Sequence, residues 1–356
     1  HSLHHLCGYA PTADIHQSAD RGTFLWSDNR GKVNFLTSTT CRDADKTYGP
    51  PEGKTIKNLV RHAQSKTTRD ANDGPGAYIS GDIIPATELT ATQSIPLATK
   101  YLLFLYDSNT RKIFNFTLKS TSGKEVSKVL LAFIKRHDTI HPNDPIKQII
   151  FDKESSLIAA LDTVHQNHPK ILTRNTGGKI HCPKAEAQIG EMKRRQRAVL
   201  SDLSYIPPSF TKLLAFIYVC EASNILHRSD GSMSPNILYG DIKDITQVEL
   251  TPSNHGLLPW GQPVIIYCET NGKTTHQNGI VMSLPDSNKE VIVYRHGVPE
   301  NVMFYRIARQ RLRPTQHPCP HWNFPTKILA HEQFGPPIRP MQNSVHRTLS
   351  SLLQED

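Results

Sequence analysis

The stretch 145-PIKQIIFDKESS-156 constrains the fold of this chain more than any other. Its apolar centre, Ile-Ile-Phe shortly after a proline, predicts a short buried strand that ends on the carboxylate of Asp152. The polar turn after this aspartate leads into 157-LIAALDTV-164, which has a helical pattern. A second predicted strand, 78-YISGDII-84, carries Asp82 in its middle, although Asp is depleted in strands. Asp82 therefore indicates chemistry rather than strand formation.

A third acidic residue comes from a helix. Glu186 lies in the first turn of a helix that we predict over residues 185–203, and Glu191 in the same helix is the alternative. Three carboxylates from three separate elements suit a two-metal site for phosphoryl transfer, because they must converge on two divalent cations about 3.5–4 Å apart. The competing structural roles are a helix cap for Asp152 and a solvated first-turn acid for Glu186.

The surrounding pattern predicts an α/β fold. The segments 101-YLLFLYD-107 and 112-KIFNFTLKS-120 have strand patterns, and 123-GKEVSKVLLAFIKRH-137 has the apolar spacing of an amphipathic helix. Another helix is predicted over residues 210–227. A strand meander followed by strand–helix alternation indicates a mixed sheet with flanking helices.

Short strands with turn signals about every ten residues predict a small all-β barrel near the end of the chain. These strands are 259–269, 278–284, 289–297 and 301–309. A short amino-terminal helix is predicted around residues 11–22. The predicted organisation is an amino-terminal module at 1–50, a basic linker at 51–77, a core at 78–240, the barrel domain at 241–313 and a disordered tail at 314–356.

The chain is basic, with a net charge of +9 over 356 residues, which favours a polyanionic partner. No apolar run reaches the roughly 18–20 residues of a membrane span, so no membrane partner is expected. Two basic runs, 193-KRRQR-197 and 306-RIARQRLR-313, are candidate phosphate contacts. A solvated helix face is the alternative for the first, and a nuclear-entry signal for the second. The candidate nucleic-acid-binding residues are Lys193, Arg194, Arg195, Arg197, Arg306, Arg309, Arg311 and Arg313.

The cysteines and the first residue bear on the cellular setting and the origin of the chain. The six cysteines have no framework spacing, and no signal peptide is recognisable. We therefore expect a reducing, intracellular setting. The chain begins with His1 rather than Met, which we expect of a fragment or of a product cut from a longer polyprotein.

Five local patterns resemble the integrases of long-terminal-repeat retrotransposons of the Ty/copia branch, over roughly residues 4–310. The order is similar to that of the family: an Asp opening a short apolar run with Pro, a Tyr-rich strand, a strand ending on Asp, a Ser-Pro segment ending on Gly, and the start of a carboxy-terminal β domain. These patterns are 82-DIIP-85, 101-YLLFLYD-107, 149-IIFDKESS-156, 234-SPNILYG-240 and 257-LLPWGQPVII-266.

The resemblance implies a ribonuclease-H-like core, within a Gag-Pol polyprotein, that joins the 3′ ends of element cDNA to target DNA with Mg²⁺ or Mn²⁺. The family's Asp, Asp, Glu triad implies that Asp82, Asp152 and Glu186 are the catalytic and metal-binding residues. Glu186 follows Asp152 by 34 positions and Glu191 by 39, and the family spacing favours the shorter distance. The implied partners are DNA, with RNA as a second nucleic acid, and further copies of the chain in a homo-oligomer. The implied location is the nucleus and the cytoplasm, in the context of virus-like particles.

Several positions depart from the family pattern. The His-His-Cys-Cys set of the family's amino-terminal zinc module matches His4, Tyr9, Cys41 and Ala44, so only His4 and Cys41 are left as vestigial zinc ligands. We expect that zinc binding is lost; a rearranged site built from other nearby His or Cys residues is the alternative. An extra acid, Glu154, follows the second aspartate. These departures favour a second hypothesis, a degenerate and catalytically inactive DNA-binding protein derived from an integrase. A general ribonuclease-H-like nuclease is a third hypothesis, which the predicted barrel disfavours.

Overall fold

A computed structural model of the chain describes residues 7–21, 24–27, 33–35, 73–90, 99–152, 154–176, 183–227, 230, 232–240, 248–249, 258–270, 273–285, 289–295 and 303–315. The helices are α1 (Thr12–Asp20), α2 (Ala86–Thr90), α3 (Gly123–Ile140), α4 (Ser155–Asn167), α5 (Pro183–Ser201), α6 (Lys212–Ile225) and α7 (Pro235–Leu238), with 3-10 turns at Ser209–Thr211 and Arg309–Arg311. The strands are β1 (Phe24–Ser27), β2 (Val33–Phe35), β3 (Tyr78–Pro85), β4 (Tyr101–Asp107), β5 (Ile113–Leu118), β6 (Gln148–Phe151), β7 (Leu172–Asn175), β8 (Val248–Glu249), β9 (Pro263–Thr270), β10 (Lys273–Val281), β11 (Glu290–Tyr294), β12 (Phe304–Ala308) and β13 (Leu312–Pro314).

The central sheet has five strands in the order β5-β4-β3-β6-β7. The strands β3, β4 and β5 form an antiparallel meander, whereas β3, β6 and β7 run parallel. The mixed sheet expected from the strand meander and the strand–helix alternation is therefore confirmed. The sequence pattern does not predict β7, because its four residues lie mostly exposed at the sheet edge and carry no apolar pattern.

Helices cover both faces of the central sheet. One face packs against α3 and α4 through a core cluster that includes Leu103 and Phe151. The other face packs against α5 and α6 through a second cluster that includes Leu102 and Phe104. The predicted helices of this region are confirmed to within one turn at each end. The fold is therefore mixed α/β, with helices on both sides of a mixed sheet.

The second large sheet has the order β12-β11-β10-β9-β13, and all neighbouring strands are antiparallel. The prediction of a closed barrel is wrong, because the described residues contain no pairing between the edge strands β12 and β13. The chain passes from one edge to the other through a single 3-10 turn, Arg309–Arg311, which takes these residues out of the ladder. The sheet is nevertheless strongly curled, since so short a connection joins its two edges.

The amino-terminal segment packs onto the rest of the chain. Helix α1 confirms the short helix predicted near the amino terminus, and β1 pairs antiparallel with β2 and parallel with β8. Ile15 of α1 belongs to the same core cluster as Val219 of α6 and Met282 beside β10. His4 and Cys41, the two predicted vestigial zinc ligands, lie outside the described residues. None of the described helices is long and apolar enough to cross a membrane.

Candidate active site

Asp82 and Asp152 lie at equivalent positions of two neighbouring parallel strands. Strands β3 and β6 pair with Gly81 opposite Phe151, so that the next residue in each segment is an aspartate. Gly81 allows this close pairing, because a Cβ there would lie 2.4 Å from Cε1 of Phe151. The register therefore brings the two predicted aspartates next to each other where β6 ends.

Both aspartates face the side of the sheet that α5 covers. Phe151 points into the cluster under α3 and α4, so its neighbour Asp152 faces the other way. Asp82 is paired with Phe104, which belongs to the cluster under α5 and α6. Helix α5 contacts β3 and β4, and Glu186 lies in its first turn. Strands β3 and β6 and helix α5 thus bring Asp82, Asp152 and Glu186 to one region, and Glu154 at the N-cap position of α4 adds its charge there. We call these four residues the acidic group.

The pKa of Asp82 is raised by burial and by the neighbouring acids. Burial is the largest of the causes that raise the pKa of Asp82 to about 6. The negative charges of Asp152, Glu154 and Glu186 raise this pKa further, because they disfavour a second charge nearby. The backbone N–H of Ile83 donates to Oδ1 of Asp82 at 2.8 Å and partly opposes the shift in pKa. The acids are therefore near enough to interact electrostatically.

Asp152 is held by Thr176, the residue that follows β7. The hydroxyl of Thr176 donates to Oδ1 of Asp152 at 3.0 Å, and the backbone N–H of Thr176 donates to the carbonyl of Phe151, also at 3.0 Å. This follows from the parallel register of β6 and β7, in which Phe151 is opposite Asn175. The two bonds continue the pairing of the strands by one residue, and they orient the Asp152 carboxyl group.

The two candidates for the third acid differ in their surroundings. Glu191 uses both carboxylate oxygens on Arg194, which donates from Nε at 2.9 Å and from Nη2 at 2.7 Å. Glu186 is exposed and contributes to the raised pKa of Asp82. This arrangement favours Glu186 over Glu191 as the partner of the two aspartates.

The acidic group has the donor chemistry of a site for hard divalent cations, since Mg²⁺ and Mn²⁺ prefer carboxylate oxygens. A cation among these side chains would relieve the repulsion that raises the pKa of Asp82. In the part of the chain that the structure describes, no group of three or more His, Cys, Asp or Glu side chains is already arranged to hold a metal ion. The residues thus fit a cation in identity and location, while their side chains are not gathered around one point.

Two of the predicted nucleic-acid contacts are wrong, because their side chains are buried and bonded to backbone carbonyls. Arg195 donates from Nε to the carbonyl of Gly8 at 2.6 Å and from Nη2 to that of Cys7 at 2.8 Å. Arg309 donates from Nη1 to the carbonyl of Leu312 at 3.2 Å. Both guanidinium groups therefore stabilise the fold and are not accessible to phosphate.

The other predicted contacts lie nearer to the surface. Lys193 forms an ion pair of 2.7 Å with Glu88, and Arg194 is held by its bidentate pair on α5. Arg313 is half-buried, with its guanidinium carbon 5.7 Å from the ring centroid of Tyr267. The exposed members of the predicted set are Arg197, Arg306 and Arg311.

Sequence reasoning missed the part that Thr176 plays beside Asp152. The only signal is a hydroxyl residue one position after β7, a strand that the apolar pattern does not reveal. Glu154, noted as a departure from the family pattern, sits at the N-cap position of α4 and adds its charge to the acidic group. Both contributions depend on strand pairing and loop geometry rather than on a local pattern.

The acids and the exposed basic residues lie in two parts of the described structure. The acidic group lies between one face of the central sheet and the first turn of α5. Exposed arginines lie further along α5 and at the end of the second sheet. No protein-family model matches this sequence, and no curated protein sequence matches it.

Proposed function

We propose that this protein is a polynucleotidyl transferase of the retrotransposon integrase type, which inserts element cDNA into host DNA. The observation that carries the proposal is the in-register pair Asp82 and Asp152 beside the first turn of the helix with Glu186. The strand order of the central sheet, a three-stranded meander extended by two parallel strands, supports a ribonuclease-H-like core. Carboxylates grouped in this way suit two-metal phosphoryl transfer.

In this proposal, Asp82, Asp152 and Glu186 hold Mg²⁺ or Mn²⁺. When bound, a pair of such ions activates the attacking oxygen and stabilises the leaving oxygen. Thr176 holds one oxygen of Asp152, which limits the orientations of that carboxylate. Asp82, with a pKa of about 6, keeps its proton in mildly acidic solution without metal, so cation binding below that pH releases a proton. No protein side chain forms a bond to phosphorus.

The exposed arginines supply the surface for DNA. Arg197 on α5, and Arg306 and Arg311 near the end of the second sheet, suit contacts with phosphates that read no base sequence. DNA binding of this kind weakens steeply as salt rises. A homo-oligomer belongs to the proposal, because a linear cDNA has two ends to be joined.

Strand transfer by the purified full chain tests the proposal. Labelled duplexes with recessed 3′-hydroxyl ends are incubated with plasmid DNA in Mg²⁺ or Mn²⁺, and covalent joining is followed on denaturing gels. The wild-type protein should give products, and Asp152→Asn should lower the rate by more than about a hundredfold. Wild-type protein that joins no ends in either metal, over a range of end sequences, would contradict the proposal.

The third acid is tested with a matched pair on one helix. Glu186→Gln should abolish joining, whereas Glu191→Gln should leave it within about threefold, since Glu191 is held by Arg194. Both variants remove one negative charge from α5, so a general charge effect would lower the two rates equally. If Glu191→Gln lowered the joining rate more than Glu186→Gln, Glu191 would be the third metal-binding acid.

A second candidate function is DNA binding without catalysis. It is favoured by the additional acid Glu154 and by the lack, within the described residues, of a group already arranged around a metal. Salt-sensitive DNA binding together with no joining by wild type or by Asp152→Asn would select this function.

A further inference from the structure

A groove of about 410 Å³ opens between β5 and α3, away from the acidic group. Its floor is aromatic: the ring of Phe114 is 5.0 Å from that of Phe133 and 5.0 Å from that of Tyr239, and the ring of Phe116 is 6.1 Å from that of Phe133, measured between centroids. A cavity of roughly 150 Å³ is enough to hold a benzene molecule. The groove therefore has room for about two bulky apolar groups.

The helix that forms the other wall leaves the groove open. Ala132 is an exposed residue in the middle of α3 and lines the groove with a single methyl group. One turn away on either side, Lys128 and Arg136 line its rim and are exposed. A larger side chain at position 132 would fill the space without entering the core.

The rim carries positive charge. Neither Lys128 nor Arg136 makes a side-chain hydrogen bond or ion pair with another described residue. The one acid in the lining, Glu125, is already engaged: it accepts from the backbone N–H of Lys119 at 2.6 Å, and from the N–H and hydroxyl of Ser120 at 2.9 and 2.6 Å. The groove thus combines an aromatic floor with two cations that no described carboxylate neutralises.

We propose that this groove binds an acidic peptide segment of a partner protein, with bulky apolar side chains on the aromatic floor and carboxylates facing Lys128 and Arg136. Buried aromatic or aliphatic anchors surrounded by complementary charge are the usual basis of such recognition. A nucleic acid fits less well, because the lining is mostly apolar and includes the carboxylate of Glu125. None of these residues belongs to the acidic group, so the inference does not depend on the proposed transferase activity.

Selection from a displayed library of short random peptides tests the inference. The full chain is the bait, and the Ala132→Trp variant, in which the groove is filled, removes peptides that bind elsewhere. Selected peptides should combine Asp or Glu with Leu, Ile, Phe or Trp. A selection that yields no peptides above background, or only peptides without acids, overturns the inference.

Affinities of the selected peptides, measured by fluorescence anisotropy, test the contacts. Ala132→Trp and the double variant Lys128→Glu, Arg136→Glu should each weaken binding by about tenfold or more. Lys135→Glu is the matched control, because Lys135 is exposed on the same helix but does not line the groove, and it should change affinity by less than about twofold. Thermal unfolding of each variant establishes that the fold is retained.

Charge reversal gives the sharpest result. A peptide whose acids are replaced by Lys should bind the double variant and not the wild type. Equal binding of the original peptide to wild type and to Ala132→Trp overturns the inference, as does competition by an oligonucleotide. The inference is also overturned if sedimentation shows an oligomer for the wild type and a monomer for Ala132→Trp. The groove would then be an interface between copies of this chain.

Discussion

Removal of the charge on Asp82 should stabilise the metal-free protein at neutral pH. The pKa of this carboxyl group is about 6 in the folded protein and about 3.9 in an unfolded chain. The folded state therefore binds more protons than the unfolded state between these values, and stability falls as pH rises through that range. At 1.36 kcal/mol per pKa unit, the difference is at most about 3 kcal/mol. Because the side chain is only partly buried, solvent screening reduces the expected effect to about 1–2 kcal/mol.

The substitution Asp82→Asn isolates this effect, since the amide resembles a protonated carboxyl group and its oxygen can still accept from Ile83. Urea unfolding in EDTA should show only about a third of the full stability difference between wild type and variant near pH 4.5. At pH 8 the variant should be more stable by about 1–2 kcal/mol. Added Mg²⁺ should stabilise the wild type and not the variant. A loss of stability at pH 8, or an equal gain at both pH values, would refute the reasoning that the folded protein raises the pKa of Asp82.

Further outcomes are expected at other positions. Thr176→Val should lower the rate of strand transfer about tenfold, because Asp152 loses one hydrogen-bond donor. The same substitution should change the unfolding free energy by only about 1 kcal/mol. Thr176→Ser keeps the hydroxyl and should restore the rate in the same joining assay. Arg195→Leu should destabilise the fold by about 2–4 kcal/mol in urea titrations, because two buried carbonyls lose their donor. Arg197→Leu, on the exposed side of the same helix, should leave the unfolding midpoint unchanged and weaken DNA binding. Arg311→Ala should reduce the slope of log affinity against log salt by about one; an unchanged slope in anisotropy titrations would exclude it from the DNA surface.

Local patterns predicted the central sheet well where both faces of a strand are covered. The apolar segments of β3 and β4 are buried on both sides, and that of β6 is buried on one side and partly buried on the other, so hydrophobicity alone marks them. The position of Asp152 followed from the end of such a run. Strand β7 lacks this signal because it is an exposed edge strand, and Thr176 was missed with it.

The basic run on α5 shows a different limit. The sequence pattern predicts one solvent-facing surface for the five successive polar residues Lys-Arg-Arg-Gln-Arg. A helix turns about 100° at each residue, so five successive residues point in all directions around its axis. Arg195 and Gln196 come between the buried residues Met192 and Val199, and both are buried as well. Helical periodicity applied to α5 could have placed Arg195 inside. Closure of the second sheet, in contrast, depends on pairing between distant segments, which no local pattern contains.

The core cluster shared by Ile15, Val219 and Met282 has a practical consequence for dissecting this chain. Proteolytic removal of α1, or truncation of the chain after residue 240, would expose apolar residues of α6 that are now buried. The exposed apolar surface would favour aggregation. A soluble fragment that carries the acidic group should therefore retain residues 7–21 and 258–295 as well as the central sheet.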